Sequence, residues 1–250
     1  MANTLPNLDL RQVDCLQFLK SLPDNSVKLI IADPPYYKIS KEYWDNQWKC
    51  EQEYLEWCDK WVAESVRVLE PSGCLYVWGT TKHDTFLRFK LNILNRYEEL
   101  VYQNWIIWAS DWGGRTKKTF PRKHEDLLMY SKGKTFTFNA DDIRVPYKMK
   151  SNVRATAQNN PKGKIPTDVW MKNNHTTSKE YAGWHSTQKP IALLERIVLA
   201  NSDPGDTVVD FFSGSGSTAI AALRHNRKFA GCELDLDYYL KSMQRIKELT

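Results

Sequence analysis

The sequence predicts an α/β fold built on a mixed, mostly parallel sheet, and two segments carry this prediction. The first is the apolar run 27–32, which polar residues precede and two prolines follow, as is typical of a strand buried on both faces. The second is the strand–turn–helix unit at 207–225, whose turn holds two closely spaced glycines. Segments with strand and helix patterns alternate around these two units, which is characteristic of the α/β class.

The first part of the chain is predicted to alternate short strands with helices. Residues 7–13 form a strand candidate, and a short helix at 15–22 follows it and is closed by Pro23. After the buried strand, an aromatic loop at 37–49 has no period, and it either covers a pocket or packs on the surface. The next predicted elements are an amphipathic helix at 51–70, ended by Pro-Ser-Gly at 71–73, a buried strand at 74–78 and a helix at 83–95.

A β-hairpin and an irregular region are predicted in the middle of the chain. A long strand at 99–109 is broken by Asp-Trp-Gly-Gly, and a strand pattern returns at 125–131, so the two are expected to pair. Their connecting loop at 115–124 is strongly basic and would reach phosphates. Residues 140–184 are almost without period, which predicts a functional or mobile insertion without regular structure.

Predicted strands and helices alternate again in the last quarter of the chain. Pro190 is suited to the first turn of a helix, and the pattern that follows it predicts one at 191–200. The further predicted elements are a strand at 207–212, a glycine turn into a helix at 217–225, a strand at 229–234 and a final amphipathic helix.

Length and composition narrow the classes of protein to which the chain can belong. A chain of 250 residues can bury a full core, and one domain spanning 1–250 with an insertion is expected. No apolar run of about 18 residues and no secretory signal pattern are found, so neither a membrane span nor export is predicted. The five cysteines form no CxxC pair and show no metal-ligand spacing with histidine, which predicts reduced thiols, a cytoplasmic location and no metal site.

The distribution of charge indicates a polyanion as partner. The formal net charge is only +5, but residues 113–189 carry 16 Lys and Arg and 6 Asp and Glu. This segment therefore has a net charge of +10, and the rest of the chain sums to −5. A basic segment on a slightly acidic body is typical of nucleic-acid-binding proteins. A solvated lysine-rich loop region would have the same composition.

Asp33-Pro34-Pro35-Tyr36 follows the buried strand and combines an acid, a proline carbonyl and an aromatic ring within four residues. Proline cannot continue a strand, so the strand must end at Asp33. This motif is therefore expected at the carboxyl edge of the sheet, where α/β folds bind their ligands. It suits a flat ligand with polar edges, such as a nucleobase, although a proline-rich turn alone would explain the sequence as well.

The glycine turn predicts an adenosine-bearing cofactor. Gly214, Gly216 and Ala219 fit the pattern G-x-G-x-x-A, and Glu233 lies 19 residues beyond Gly214, where a ribose-binding acid is expected. NAD is one candidate. However, a dinucleotide needs a second nucleotide-binding half, and only 31 residues follow Ala219. A cofactor with a single adenosine, S-adenosyl-L-methionine, fits better.

Together these motifs resemble a known family. Asp33 to Tyr36 is similar to the DPPY motif of the amino-methyltransferases, which methylate an exocyclic amine of adenine or cytosine. The sequence His-Ser-Thr-Gln-Lys-Pro at 185–190 and the glycine turn follow in the order typical of the β group of DNA enzymes, so the resemblance covers nearly the whole chain. It implies a Rossmann-like methyltransferase fold in which the order of the motifs along the chain is circularly permuted, and a restriction–modification type of enzyme.

The resemblance also implies roles for individual residues. Asp14 would contact the adenine of the cofactor, Glu233 its ribose, and Thr187, Lys189 and the turn 213–216 its methionine end; Asp14 would equally serve as a helix N-cap. The implied catalytic residues are Asp33, Pro34, Pro35 and Tyr36. The implied cofactor-binding residues are Asp14, Cys15, Thr187, Lys189, Asp210, Phe211, Phe212, Ser213, Gly214, Ser215, Gly216 and Glu233. The implied DNA-binding residues are Arg115, Lys117, Lys118, Arg122, Lys123, Lys148, Lys150 and Arg154, and 140–184 would be the target-recognition region.

The predicted function is transfer of a methyl group from S-adenosyl-L-methionine to the N6 amine of a flipped-out adenine in DNA. Asp33 favours adenine, because the cytosine-N4 members of the family more often have Ser at this position. Cytosine N4 and a catalytically silent DNA-binding module are the alternatives, and RNA or protein are further substrate classes to consider. Ser186 and the 210–218 segment depart from the usual wording of the family motifs without removing a polar contact. A homodimer and a cognate restriction endonuclease are partners that the resemblance implies.

Overall fold

A computed structural model describes residues 5–110, 116–147, 160–171 and 180–250. One sheet of eight strands forms its centre, and helices cover both faces. The strands are β1 Leu8–Gln12, β2 Val27–Ala32, β3 Leu69–Gly79, β4 Leu100–Ala109, β5 His124–Lys132, β6 Val169–Met171, β7 Thr207–Asp210 and β8 Lys228–Glu233. The α-helices are α1 Cys15–Lys20, α2 Glu51–Val68, α3 Thr85–Asn92, α4 Ile191–Asn201, α5 Ser217–Arg224 and α6 Leu236–Leu249.

The order of the strands in the sheet confirms the predicted permuted, mostly parallel arrangement. The order is β1-β8-β7-β2-β3-β5-β4-β6. The strands from β1 to β3 in this order are all parallel, β5 is antiparallel to both β3 and β4, and β6 is parallel to β4. The last two strands of the chain therefore lie between its first two, and the predicted hairpin is the β4–β5 pair.

Two hydrophobic cores flank the sheet because successive side chains of a strand point to opposite faces. Ile30 of β2 packs in the core under α1, α2 and α3, whereas its neighbours Leu29 and Ile31 pack in the core under α4, α5 and α6. Each of these three side chains is at most 1% exposed, as expected for a strand in the middle of a covered parallel sheet. Within the described ranges, none of the helices combines the length and apolar character needed to cross a membrane.

Two predictions of local structure were wrong. Helix α2 ends at Val68 rather than at 70, and β3 runs from Leu69 through the Pro-Ser-Gly sequence that was expected to separate them. The β2–β3 register shifts there, from Val27 opposite Leu69 to Leu29 opposite Cys74. Proline and glycine are tolerated in strands at such irregularities, so the sequence 71–73 forms a bulge within the strand and not a break before it.

The region 140–184 also contains regular structure that its lack of period did not predict. Val169–Met171 adds β6 to the edge of the sheet next to β4, and a single bridge joins Val145 to Lys164. Three residues are too short for a period to be detected in sequence. Residues 148–159 and 172–179 lie outside the part of the chain that the structure describes.

Candidate active site

The carboxyl ends of four parallel strands meet at one edge of the sheet and line a cavity of about 830 Å³. Asp14 follows β1, Asp33 follows β2, Gly214 lies in the turn after β7, and Glu233 ends β8. The parallel arrangement brings these residues together although they come from opposite ends of the chain. The cavity has the size of a small-molecule binding site.

Asp33 is held at this edge by two hydrogen bonds. The hydroxyl of Tyr36 donates to Oδ1 at 2.7 Å, and the ammonium of Lys189 donates to Oδ2 at 2.7 Å. Burial, the charge of Asp33 and that of Glu125 raise the pKa of Tyr36 well above its ordinary value, so its hydroxyl stays protonated as a donor. Each carboxylate oxygen can accept a further hydrogen bond, and the side chain is 23% exposed towards the cavity.

The proline carbonyls of the motif differ in their availability. The Tyr54 hydroxyl donates to the carbonyl of Pro35 at 3.1 Å. Among the residues that the structure describes, no donor reaches the carbonyl of Pro34, which also lines the cavity. The carboxylate of Asp33 and the carbonyl of Pro34 are therefore both able to accept hydrogen bonds from a ligand.

Asp45 orders the loop after the motif, and the sequence did not predict this role. Its buried carboxylate accepts the backbone N–H of Tyr36 at 2.7 Å and that of Ser40 at 2.9 Å, while its carbonyl accepts the N–H of Lys38. Asp45 lies in a single 3₁₀ turn and is 4% exposed. An acid within an aromatic, aperiodic loop was the only sequence signal for this arrangement.

Lys189 lines the cavity and bridges two carboxylates. Its ammonium contacts Asp33 and Glu125, the latter at 3.2 Å, and lies 4.9 Å from the centroid of the Trp78 ring. Burial alone would lower the pKa of Lys189, but the two carboxylates outweigh it and the net shift is upward. Glu125, which the sequence did not predict as a site residue, also lines the cavity.

Glu233 ties the glycine turn to the end of β8. Its carboxylate accepts the backbone N–H of Gly214 at 2.8 Å and that of Asp235 at 2.9 Å. A Cβ atom on Gly214 would lie 2.7 Å from Nε2 of His185, and the φ of Gly214 is +50°, so only glycine fits there. Burial raises the pKa of Glu233, with the two N–H donors acting against it.

Asp14 is the N-cap of α1, which is one of its two predicted roles, and its position is compatible with contact to the cofactor, which is the other. Its Oδ1 caps α1 by accepting the N–H groups of Leu16 at 2.9 Å and Gln17 at 3.2 Å. The residue also lines the cavity, together with the buried Cys15. Carboxylates at the ends of β1 and β8 beside a tight glycine turn fit the polar edges of an adenosine, with Glu233 near the turn as expected for a ribose ligand.

Four of the predicted cofactor-binding residues do not line the main cavity. Asp210 lies behind the turn at 4% exposure, where its carboxylate accepts the Thr218 hydroxyl at 2.6 Å and the N–H of Phe212 at 3.0 Å. Burial raises the pKa of Asp210 to about 7. The four residues are Asp210, Ser213, Ser215 and Gly216. They lie behind or within the tight turn between β7 and α5.

Aromatic side chains form one side of the cavity. The ring of Trp44 stacks on His185 with 11° between the planes, and Tyr238 contacts both rings. Phe211 and Phe212 also line the cavity. Burial lowers the pKa of His185 to about 4, so its ring is neutral near pH 7. The aromatic loop at 37–49 therefore lines the cavity through Trp44 and Trp48, as one of its two interpretations predicted.

The basic hairpin loop begins at the mouth of the cavity. The N–H of Ser110 donates to the carbonyl of Lys123 at 2.8 Å, and Ser110 itself lines the cavity. The side chains predicted to bind DNA in this loop are exposed, and so is Phe120, at 98%. These basic residues are Lys117, Lys118, Arg122 and Lys123. The remaining predicted DNA-binding residues lie outside the described residues; they are Arg115, Lys148, Lys150 and Arg154.

Comparisons with known proteins show the family to which the chain is similar. The model of the N6_N4_Mtase family, described as DNA methylase, matches residues 27–244. Type II methyltransferase M1.MboII of Moraxella bovis is 32% identical over 246 residues, which cover 92% of both chains. DNA adenine methyltransferase YhdJ of Escherichia coli K12 is 36% identical, over 93% of this chain and 80% of its own. The structure of the PvuII DNA methyltransferase, cytosine-N4-specific, superposes with a TM-score of 0.73 at 20% identity, over 94% of this chain and 85% of that one, which supports the fold.

Proposed function

The chain belongs to the N6/N4 DNA methylase family, and we propose that it methylates the N6 amine of a specific adenine in DNA. Membership of this family makes the chain an S-adenosyl-L-methionine-dependent DNA methyltransferase of the restriction–modification type. The proposal therefore concerns the base, the residues that act on it and the surface that holds the DNA.

One observation carries the proposal: the carboxylate of Asp33 and the carbonyl of Pro34, which no donor among the described residues reaches, are adjacent in sequence and line the cavity together. An exocyclic amine has two hydrogens and a lone pair that is conjugated with the ring. Two acceptors that take both hydrogens draw the nitrogen towards a tetrahedral geometry and free the lone pair for attack. Asp33 and Pro34 provide such a pair of acceptors.

The cofactor supplies an electrophilic methyl group on a sulfonium when it is bound. The residues that would hold it are Glu233 and Asp14 at the adenosine and the turn around Gly214, with Thr187 and Phe212 nearby. This half of the cavity lies at the ends of β1, β8 and β7, and the amine acceptors lie at the end of β2 next to them. The site therefore brings the donor and acceptor of the methyl group together by positioning.

The target base must leave the DNA duplex to enter this cavity, which costs about a few kcal/mol. Tyr36 presents its ring next to the two acceptors, and stacking on the flipped base would offset part of that cost. The exposed basic residues of the hairpin loop, such as Lys117 and Arg122, follow Ser110, which lines the cavity, and would bind the phosphates on either side of the base. The segment 140–184 is proposed as the target-recognition region.

Two observations favour adenine over cytosine as the proposed target base. The motif begins with Asp33, whereas cytosine-N4 members more often begin it with Ser. In addition, YhdJ, whose name states adenine, is 36% identical over most of the chain. Mass spectrometry of nucleosides tests the proposal directly, using unmethylated DNA incubated with the enzyme and S-adenosyl-L-methionine. N6-methyldeoxyadenosine is the expected product, N4-methyldeoxycytidine would refute the choice of base, and the absence of both on DNAs of varied sequence would refute the proposal.

A further inference from the structure

The catalytic motif is part of a charge cluster, centred on a buried lysine, that the assigned function does not account for. The ammonium of Lys189 donates to Asp33 at 2.7 Å and lies 3.2 Å from Glu125, and its side chain is 7% exposed. These three residues come from separate elements: the end of β2, the start of β5 and the segment before α4. A lysine is rarely buried unless it is paired, so two carboxylates around one ammonium form a built arrangement.

From this geometry we propose that Lys189 is a positioning residue that holds the carboxylate of Asp33 and aims it at the target amine, with Glu125 anchoring the ammonium from its other side. This inference rests on the proposed function, since it assigns a role within the same site. It differs from the role that the family resemblance implied for Lys189, which was contact with the methionine end of the cofactor.

The donors of Lys189 are already engaged by the protein. Two of its three N–H bonds are accounted for by Asp33 and Glu125, and the ring of Trp78 lies 4.9 Å from the ammonium. An anionic group of the cofactor would have to compete with carboxylates that are held in place by two strands. Thr187, which also lines the cavity, is better placed for that end of the ligand.

Lys189 brings a positive charge between two carboxylates at this edge of the sheet. Its ammonium is shared between Asp33 and Glu125. An ammonium within hydrogen-bonding distance of both offsets the repulsion between two neighbouring carboxylates. A carboxylate that is held in this way can present an acceptor to an amine hydrogen.

The two oxygens of Asp33 are each fixed by one donor, Tyr36 on Oδ1 and Lys189 on Oδ2. These bonds leave the carboxylate little freedom to rotate. Lys189 therefore acts on the orientation of Asp33. Loss of the ammonium should affect the transfer step much more than the binding of the cofactor.

The experiment compares Lys189→Met, Lys189→Arg and the double variant Lys189→Met/Glu125→Gln with the wild type. Single-turnover transfer of tritiated methyl to DNA is measured at pH 7.5, and calorimetry gives the Kd for S-adenosyl-L-methionine. For Lys189→Met we expect the transfer rate to fall by about 100-fold. Its Kd for the cofactor should stay within about threefold of the wild type.

The other two variants separate charge from packing. Lys189→Arg retains a cation that can donate to Asp33 and should recover most of the transfer rate. In the double variant, a neutral amide replaces the second carboxylate, so the methionine no longer lies beside that charge. The double variant therefore gives a reading of the transfer rate and of the Kd if the single variant fails to fold.

The results distinguish this inference from the proposed function. Tritium counting registers methyl groups on either base, so a wrong choice of base leaves the test intact. If the wild type transfers methyl to DNA but Lys189→Met shows a Kd raised about tenfold or more, Lys189 is a cofactor ligand and the inference is overturned. If the wild type transfers nothing to DNA, the proposed function and the inference both fall.

Discussion

Replacing Asp33 with alanine should abolish methyl transfer and leave cofactor binding largely intact. Asp33 supplies one of two acceptors for the amine hydrogens, and removal of a single such electrostatic partner commonly costs about 10²- to 10³-fold in rate. The variant also loses the alignment that Lys189 and Tyr36 give to this carboxylate through their 2.7 Å hydrogen bonds. We therefore expect a fall of about 10³-fold or more in the single-turnover rate.

The same change has a moderate effect on stability. Lys189 keeps Glu125 at 3.2 Å as a partner, so its buried charge is not left alone. The cost should be about 1–3 kcal/mol, less than for complete loss of a buried ion pair. For a chain of 250 residues this lowers Tm by roughly 2–4 °C per kcal/mol, so assays at 25 °C still measure folded protein.

Two assays together decide the outcome for Asp33→Ala. Quenched single-turnover reactions on DNA measure the transfer step, and calorimetry with S-adenosyl-L-methionine measures cofactor affinity. Asp33→Asn is the matched control, because it retains the shape and one carbonyl acceptor while removing the charge. Activity within about tenfold of the wild type, or a Kd that rises in proportion to the loss of rate, would refute the assignment of Asp33 to the transfer step.

Four further predictions follow from the same contacts. Tyr36→Phe retains the ring and loses only the donor to the catalytic carboxylate, so kcat should fall by about 3- to 10-fold; a loss as large as that of Tyr36→Ala would contradict this. Glu233→Gln has one acceptor oxygen in place of two, so it cannot accept the backbone N–H groups of both Gly214 and Asp235. Calorimetry should show cofactor affinity weakened roughly 10- to 100-fold. An unchanged Kd would mean that this carboxylate does not contribute to cofactor binding. Combined replacement of Lys117 and Lys118 by alanine should reduce the slope of log Kd for DNA against log salt by about 2, and an unaltered slope would exclude these side chains as phosphate ligands. Burial raises the pKa of Asp210 to about 7 from 3.8, so between these two values the folded state binds a proton that the unfolded chain has released. Tm should therefore fall as the pH rises from about 4 to 7. This fall should be smaller in Asp210→Asn, and an identical dependence of Tm on pH in the variant would argue against the shift.

Much of the catalytic edge could be predicted from the sequence because its signals are local. Prolines end β2 at Asp33, and a glycine turn followed by an acid at the end of the next strand marks β7 and β8. Each of these features depends on residues within a few positions of one another. Parallel strands then bring their carboxyl ends to one edge without further information from the sequence. This is why Asp14, Asp33 and Glu233 were expected together at one edge, as the structure has them.

The part of the site that escaped prediction depends on contacts between distant residues. Glu125 lies 64 positions before Lys189 and 92 after Asp33, and no local pattern links the three. The helix boundary at Val68 and the strand at Val169–Met171 were missed for a related reason. Their conformation is set by pairing with β2 and β4, and pairing partners are not visible in a single sequence.

The direction of β5 explains why Glu125 belongs to the site at all. In the parallel part of the sheet, only the carboxyl end of a strand reaches the catalytic edge. β5 runs antiparallel to β3, with Asp126 opposite Gly79, so the start of β5 lies where β3 ends. An acid at the beginning of an antiparallel strand therefore occupies the same edge as acids at the ends of parallel ones. The hairpin thus supplies two things from one place: a basic loop at the mouth of the cavity and, immediately after it, the second carboxylate beside Lys189.

The permuted order of the chain is compatible with this chemistry for the same geometric reason. The strand before the glycine turn, β7, lies next to β2, the strand that ends at Asp33, and their register pairs Leu29 with Val208 and Ile30 with Val209. The reaction requires that the cofactor half and the amine half of the cavity share an edge, and adjacency in the sheet provides this whichever strand comes first in the chain. Placing β7 and β8 at the end of the chain changes the connections between strands and leaves the catalytic edge unchanged.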